Sequence, residues 1–477
     1  MHIVIIGNGV AGIEAALVVR EREPDWPITI VSEESDHFFS RTALMWVVTG
    51  QLSHQCIEPH ERDLYERLAI TRVRARATGI DREKRQVLLR SGDPIAYDRL
   101  LIACGSKPRP APWEGSDLEG IGHFVTLQDC QWLEHELHGG SSHAGGPPRP
   151  DAHLQGSDDT SPYWRRPSVR EARGGAPKAA AVIGGGLIGI EAVEVLRQAR
   201  VPVRFFIRED WFWPMALDER ESTWIAERME DHGVEMRLGE EVARFEGEGR
   251  AERLVTKSGE EEDTDLVVVA IGVVPNTEWL RGSGLELQER GGGIVVGERL
   301  VTSDPNVFAA GDCAAVEWFD GSRRPEQLWY TARDQGRVAG RALLGDTVAR
   351  YQRGHWYNSA KLMDIEYTTA GLVNMNVAQE QNFFHEERGK VRSTTRIVVS
   401  GDRVVGFNLL GRRWDHTVLI RFIEEHRSLD YVLEHLNEAA FDTEFVPPLQ
   451  LPKKAPELDG PAAGPYRDPN PVSPPAV

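Results

Sequence analysis

Apolar residues in this chain gather in short dense runs rather than in long periodic stretches. Ile3-Val4-Ile5-Ile6, Ile28-Thr29-Ile30-Val31, Leu100-Leu101-Ile102-Ala103, Ala179–Ile183, Val203–Ile207 and Leu266–Ile271 are such runs. Short runs with little polar alternation predict strands covered on both faces, as in a parallel sheet flanked by helices. Two of the runs are followed at once by a Gly-rich turn and a helix-like segment, Ile13–Arg22 after the first and Ile190–Arg200 after the second. The pattern therefore predicts an α/β protein in which a strand–turn–helix unit occurs twice.

Both turns read G-x-G-x-x-G: Gly7-Asn8-Gly9-Val10-Ala11-Gly12 and Gly184-Gly185-Gly186-Leu187-Ile188-Gly189. In such a turn the first glycine makes the bend, the second lets backbone approach a pyrophosphate, and the third lets helix and strand pack closely. The helix N-terminus then offers amides and a favourable dipole to the phosphates. Glu33 and Glu34 follow the second strand, about 20 residues beyond the first turn, where a Rossmann unit places an acid for a ribose hydroxyl. One such turn is weak evidence. Two in the right context predict two dinucleotides, and hence electron transfer between them.

The rest of the chain is less regular. Residues 139–177 are rich in Pro, Gly, Ser and Asp without periodicity, which predicts a surface insertion. A helix rich in Ala, Gly and Arg is expected over Leu328–Leu344, following Asn306–Asp312. From about residue 351 the character changes. Strands at Thr394–Val399 and Val404–Leu410 and a helix at His416–His426 predict a small α+β domain over 351–445, followed by a Pro-rich tail, 446–477, read as disordered or lying along the surface.

Composition narrows the picture without redirecting it. At 477 residues the chain is too long for one core. A net charge of -19 argues against nucleic acid as partner, because phosphates would be repelled. No apolar stretch nears the roughly 18 residues of a membrane span, and a strand from residue 3 leaves no room for a signal peptide, so the cytoplasm is the expected location. Cys56, Cys104, Cys130 and Cys313 are scattered and form no C-x-x-C pair, so neither a metal site nor a dithiol motif is expected.

These motifs, with Ile102-Ala103-Cys104-Gly105, Ala270-Ile271-Gly272-Val273-Val274-Pro275-Asn276 and Ala310-Gly311-Asp312-Cys313-Ala314, stand in an order that resembles the FAD-dependent pyridine nucleotide-disulfide oxidoreductase superfamily. The resemblance implies two Rossmann-like domains, an FAD domain over 1–120 and 296–345 and an inserted NAD(P)H domain over 121–295, with 351–445 as a C-terminal interface domain in a monomer or homodimer. It implies that Asp312, next to Gly311, bonds the FAD ribityl chain, and that Ala103, Gly105 and Gly272 lie along the cofactors. Glu191 matches a family Glu beside the nicotinamide, although the Lys that pairs with it in oxygenase-coupled relatives aligns with Trp46. Trp329 matches an aromatic that lies against the flavin in some relatives. Lys361, in a segment dense in polar and aromatic residues, is a candidate for lining the acceptor approach.

The branch is read from Phe38–Met45. Disulfide reductases carry cysteines there, and Thr42 occupies the single-Cys position of the coenzyme A disulfide reductase branch. A hydroxyl cannot relay electrons as a thiol does. Phe39-Ser40-Arg41 with Leu44 instead resembles rubredoxin reductases, oxygenase-coupled ferredoxin reductases and the NADH-binding part of nitrite reductases, which places Arg41 near the cofactor. The resemblance thus implies an FAD-dependent NAD(P)H oxidoreductase delivering electrons to a small ferredoxin- or rubredoxin-type protein. An NAD(P)H oxidase, a nitrite-reductase-type module and an apoptosis-inducing-factor-like protein are the alternatives. NADH versus NADPH stays open: Ile207 replaces the usual acid and Arg208 suits a 2'-phosphate, while Glu209 and Pro214 do not.

Overall fold

The computed structural model describes residues 1–138, 177–289, 291–318, 321–375, 377, 379–389, 391–456 and 458–461. The 139–177 insertion, but for its last residue, and the end of the Pro-rich tail lie outside them. The chain folds as two units. The first takes Met1–Pro110, residues 122–138 and Gly272–Arg353, and the second takes Ala111–Ile121, Pro177–Ile271 and the chain from Gly354.

The first unit is built on five parallel strands in the order Val307–Ala309, Arg99–Ile102, Ile3–Ile6, Ile28–Ser32, Ile70–Arg74. All four residues of Ile3–Ile6 are buried, as expected of a central strand with both faces covered. Helices Val10–Arg22 and Trp329–Leu343 pack together through small residues: a Cβ at Gly336 would press on the Ala11 backbone, and one at Gly340 would lie 2.8 Å from Val18 Cβ. The unit also contains helix Leu127–His138 and the stretch Gly272–Val295, which the sequence reading grouped with the second Gly turn. Ser106–Pro108 pairs antiparallel with Val273–Pro275, which holds Gly105 and Asn276 together through the Asn276 amide.

The second unit repeats the plan with parallel strands Val234–Leu238, Val203–Ile207, Ala180–Ile183 and Leu266–Val269. Helix Leu187–Gln198 follows the Gly turn, and helix Glu219–Asp231 opens with a capping box between Asp218 and Glu221. The C-terminal part of this unit is a five-stranded antiparallel sheet in the order Tyr357–Leu362, Ile365–Gly371, Arg403–Leu410, Arg392–Ser400, Glu380–Arg388. Helices His416–Glu424 and Leu429–His435 cover it, so the α+β expectation for this region holds with three more strands than the sequence suggested. The extra strands were obscured because they carry many polar residues, some of them buried, such as Thr368, Thr369 and Asn382. The tail corrects the sequence reading as far as residue 461. Leu449 is buried in the domain core, Asn437 bonds the Leu449 backbone in both directions, and Asn382 pairs with Asp459.

One buried ion pair ties the C-terminal sheet to the nucleotide-type half of this unit. Arg396 is wholly buried and donates to Glu221 (2.9–3.1 Å), to Asn374 Oδ1 (2.7 Å) and to the Ala216 carbonyl (3.0 Å). Asn408 Nδ2 also donates to Glu221, at 2.9 Å. Burial pushes the Glu221 carboxyl up and the Arg396 guanidinium draws it back. Arg396→Ala should therefore strand a buried carboxylate and cost about 3–5 kcal/mol of stability. Since Glu221 must then protonate to stay folded, the loss should grow as pH rises. Thermal unfolding of wild type and variant across pH checks this; equal midpoints at all pH values would contradict it.

Candidate functional site

The two Gly turns are built alike, atom for atom where it counts. Gly7 has φ +112° and Gly184 φ +117°, values that only glycine adopts readily. A Cβ at Gly7 would collide with the Ala103 carbonyl oxygen, and one at Gly184 with the Ala270 carbonyl oxygen, each at the exit of the neighbouring parallel strand. A Cβ at Gly12 or Gly189 would strike the carbonyl of Gly7 or Gly184, so these third glycines set how closely helix and strand approach. The middle glycines differ in kind. Gly9 and Gly186 are the N-caps of their helices, neither makes a side-chain cap, and a Cβ at either would meet nothing within 4 Å. Val10, Leu187 and Ile188 are half-buried in the first turns of these helices, and Ala11 is buried.

The same openness marks Gly105 and Gly272, where a Cβ would also meet nothing within 4 Å. Four of the positions expected to face a cofactor thus turn bare backbone toward free space. Trp329 heads its helix, half-buried, with its indole Nε1 buried and unpartnered among the described residues. The residues present therefore fit dinucleotides: an uncapped helix end, a cradle without side chains and a spare donor.

Asp312 sits at the end of the Gly311 turn, where its Oδ2 accepts from Ser106 Oγ at 2.7 Å. Burial pushes its carboxyl up, against the Ser106 bond and the Arg41 charge. Gly311 N donates to the fully buried Gln335 Oε1 at 2.8 Å, and Ala11 lies against Gly311, so the Asp312 turn is pinned from two helices. Ser106 lies in the strand exit and Gln335 in the helix that the resemblance marked, but nothing in spacing links either to Asp312. Asn8 is a further omission, although it lies inside the motif. It is buried, its Oδ1 accepts from Tyr65 Oη at 2.9 Å, and Tyr65 in turn accepts from the Phe38 amide at 2.9 Å.

The acids after the second strand divide their work. Glu34 holds Arg41 through two bonds of 2.6–2.8 Å and accepts from the Leu127 amide at 3.0 Å, and Arg41 also donates to the Val125 carbonyl at 2.7 Å. Burial alone would push the Glu34 carboxyl up, but Arg41 and the Leu127 amide bring it below the usual range. In this structure Arg41 and Glu34 fasten residues 125–127 to the first sheet. Glu33 is half exposed and lies 3.7 Å from Arg76.

In the second unit Ile207 is fully buried where an acid would often stand, and exposed Arg208 turns its Nε to Glu209 Oε1 at 2.7 Å. Glu191 is half-buried on helix Leu187–Gln198, and burial together with Glu194 pushes its carboxyl up to about 7. Glu194, not singled out from sequence, is 5% exposed. Burial raises its carboxyl to about 7 as well, against the pull of Lys361. Lys361 Nζ lies 3.6 Å from Glu194 Oε2, which places it beside a carboxylate of the same unit.

The thiols stand apart from this chemistry. No cysteine forms a disulfide; Cys56 is exposed, Cys104 half-buried, and Cys130 and Cys313 buried. A hydrogen bond with Cys313, and burial, push the Cys104 thiol well up, and burial does the same to Cys130. Thr42 is exposed and shares a 3.1 Å hydroxyl contact with Ser40. Among the described residues no group of three or more His, Cys, Asp or Glu could hold a metal, and no helix is long and apolar enough to cross a membrane.

Over residues 1–336 the sequence matches the pyridine nucleotide-disulphide oxidoreductase family, and the chain belongs to that family. It is an FAD-dependent NAD(P)H oxidoreductase by class. It is 29% identical over 347 residues, 72% of this chain and 75% of the relative, to the biphenyl dioxygenase system ferredoxin–NAD(+) reductase component of Paraburkholderia xenovorans (strain LB400). It is 28% identical over 455 residues, 93% of each chain, to the rhodocoxin reductase of Rhodococcus erythropolis. A ferredoxin reductase structure from Rhodopseudomonas palustris shares the fold with a TM-score of 0.74, at 23% identity, over 91% of this chain and 99% of that one.

Because sheltered thiols react slowly, iodoacetamide at about pH 7.5 should label exposed Cys56 and spare Cys104, Cys130 and Cys313 in the folded protein. NAD(P)H-dependent turnover should survive the labelling. Peptide mass mapping reads this, and rapid labelling of Cys104 or Cys313 would contradict it.

Proposed function

We propose that this protein moves electrons from NAD(P)H through FAD to a small iron–sulfur protein of ferredoxin type, in the cytoplasm and without a thiol relay. The observation that carries the reading is the pair of matching Gly turns, each presenting bare backbone and an uncapped helix end, in a chain with Thr42 where thiol-using relatives carry cysteine. The names of the reductase relatives support the choice of acceptor.

In this reading Gly7 makes the bend, Gly9, Val10 and Ala11 offer backbone amides to the FAD pyrophosphate, Gly12 lets the helix pack close, and Glu33 takes the adenosine ribose. Asp312, steadied by Ser106, accepts from a ribityl hydroxyl. Ala103 and Gly105 keep the strand exit narrow beside it, Arg41 and Glu34 brace the neighbouring loop, and Trp329 lies against the flavin. Gly184, Gly186, Leu187, Ile188 and Gly189 hold the nicotinamide nucleotide, with Glu191 beside the ring. Arg208 meets the adenosine end, its charge shared with Glu209, so both NADH and NADPH are accepted with a tilt toward NADPH. When bound, the nicotinamide and the flavin supply the hydride and electron chemistry, while the protein binds, orients and excludes water.

Anaerobic reduction by each nucleotide, followed by reoxidation with ferredoxin, rubredoxin, quinone or oxygen, tests the proposal. Rapid reoxidation by ferredoxin is expected. Fast reoxidation by oxygen alone would make the protein an oxidase, and very slow reduction by both nucleotides would favour a signalling role.

The two turns can be separated by substitution. Gly184→Ala forces a Cβ into the Ala270 carbonyl at a φ alanine resists, so it should purify yellow with absorption near about 450 nm yet lose roughly a hundredfold in nucleotide affinity. Gly7→Ala should instead lose flavin. Flavin content and nucleotide titration of both variants decide the assignment, and the opposite pairing of losses would reverse it.

A further inference from the structure

Helix Leu187–Gln198 carries a second carboxylate that the proposed reaction does not use. Glu191 and Glu194 are three residues apart, which puts them on one face of the helix about 5–6 Å apart at Cβ. Glu194 is nine-tenths buried, and its Oε1 has no hydrogen-bond partner among the described residues. An unpaired buried carboxylate oxygen is costly while charged and inexpensive once protonated. Lys361, on strand Tyr357–Leu362, which packs on this helix, brings its Nζ to 3.6 Å from Glu194 Oε2.

We propose that Glu194 and Lys361 form a positioning pair that governs whether Glu191 carries a proton, and through it the preference of this unit for the cationic over the neutral nicotinamide ring. The proposal rests on the reading that the second Gly turn holds the nucleotide with its ring beside Glu191.

The groups facing the pair are few. The Met363 amide donates to Glu194, and Asp364 adds a like charge. Asp364 is itself bound to Arg228 and lies 3.8 Å from His232. Arg197, one turn beyond Glu194, is turned to the carbonyls of His232 and Val201. Lys361 thus keeps Glu194 partly ionised, and the Glu194 charge resists ionisation of Glu191. Both carboxyls lie at about 7, so the pair changes charge around neutrality. Below that range Glu191 is a neutral acid with no preference for a cation. Above it Glu191 is a carboxylate that favours the positively charged oxidised ring over the neutral reduced one.

The test is equilibrium binding to the flavin-loaded protein from about pH 6 to pH 8. NAD+ is the probe and ADP-ribose, which lacks the ring, is its control, repeated with NADP+ and the 2'-phosphorylated control. In wild type the NAD+ to ADP-ribose affinity ratio should rise about fivefold to tenfold with pH. Glu191→Gln should flatten the profile. Glu194→Gln removes the opposing charge and should move the midpoint down by about one pH unit. Lys361→Met, at a half-exposed position that folding tolerates, leaves Glu194 protonated and should move the midpoint the same way. The double variant should shift no further than Glu194→Gln alone. Profiles of Glu194→Gln and Lys361→Met that overlay wild type, with Glu191→Gln flat, overturn the proposal and leave the placement of the ring intact. A rise that persists in Glu191→Gln overturns both.

Discussion

A carbonyl oxygen pressed against a glycine underlies each half of this protein. At the exits of strands Arg99–Ile102 and Leu266–Val269, the carbonyls of Ala103 and Ala270 fill the space that a side chain at Gly7 or Gly184 would need. That approach forces the positive φ, turns the chain sharply and brings the third glycine of each turn onto the carbonyl of the first. The helix then starts with its N-terminus bare and its middle glycine open. An anion-binding cradle is what remains when packing excludes side chains at the first and third glycines and the middle glycine is left open.

Around these cradles the polar groups are arranged for unlike purposes. In the first unit most are tied: Asn8 to Tyr65, Gly311 to Gln335, Asp312 to Ser106, Glu34 to Arg41. Such bonds hold the surroundings of the first cradle still. In the second unit Glu191 and Glu194 are sheltered without enough partners, which leaves their charge to depend on the medium. In the proposed reading, rigid surroundings suit a resident flavin, and adjustable charge suits a nucleotide that changes its own charge and departs.

The legible part of the sequence was the part with local cause. Gly7, Gly9 and Gly12 and their counterparts at 184–189 could be assigned tasks from spacing alone, because each task is steric and involves neighbours in the same turn. Asp312 was marked by the family resemblance of its Gly-Asp motif, not by spacing. The bonds that tie Ser106 and Gln335 to the Gly311 turn were not legible, since they close loops of 206 and 24 residues. The C-terminal sheet was half hidden for a similar reason. Strands such as Tyr357–Leu362 owe their existence to pairing with Ile365–Gly371 rather than to their own mixed composition.

By itself the sequence determined that two dinucleotide turns exist, that Thr42 rather than a thiol follows the first, and that the chain is of the α/β kind. These follow from residue types whose backbone freedom or reactivity is intrinsic. Only the tertiary structure decided that Glu34 braces Arg41 while Glu33 stays accessible, that Lys361 meets Glu194, and that Arg396 and Glu221 are buried together. Those pairings depend on which strand and helix lie side by side, and burial, not composition, sets the charge of the groups that meet there.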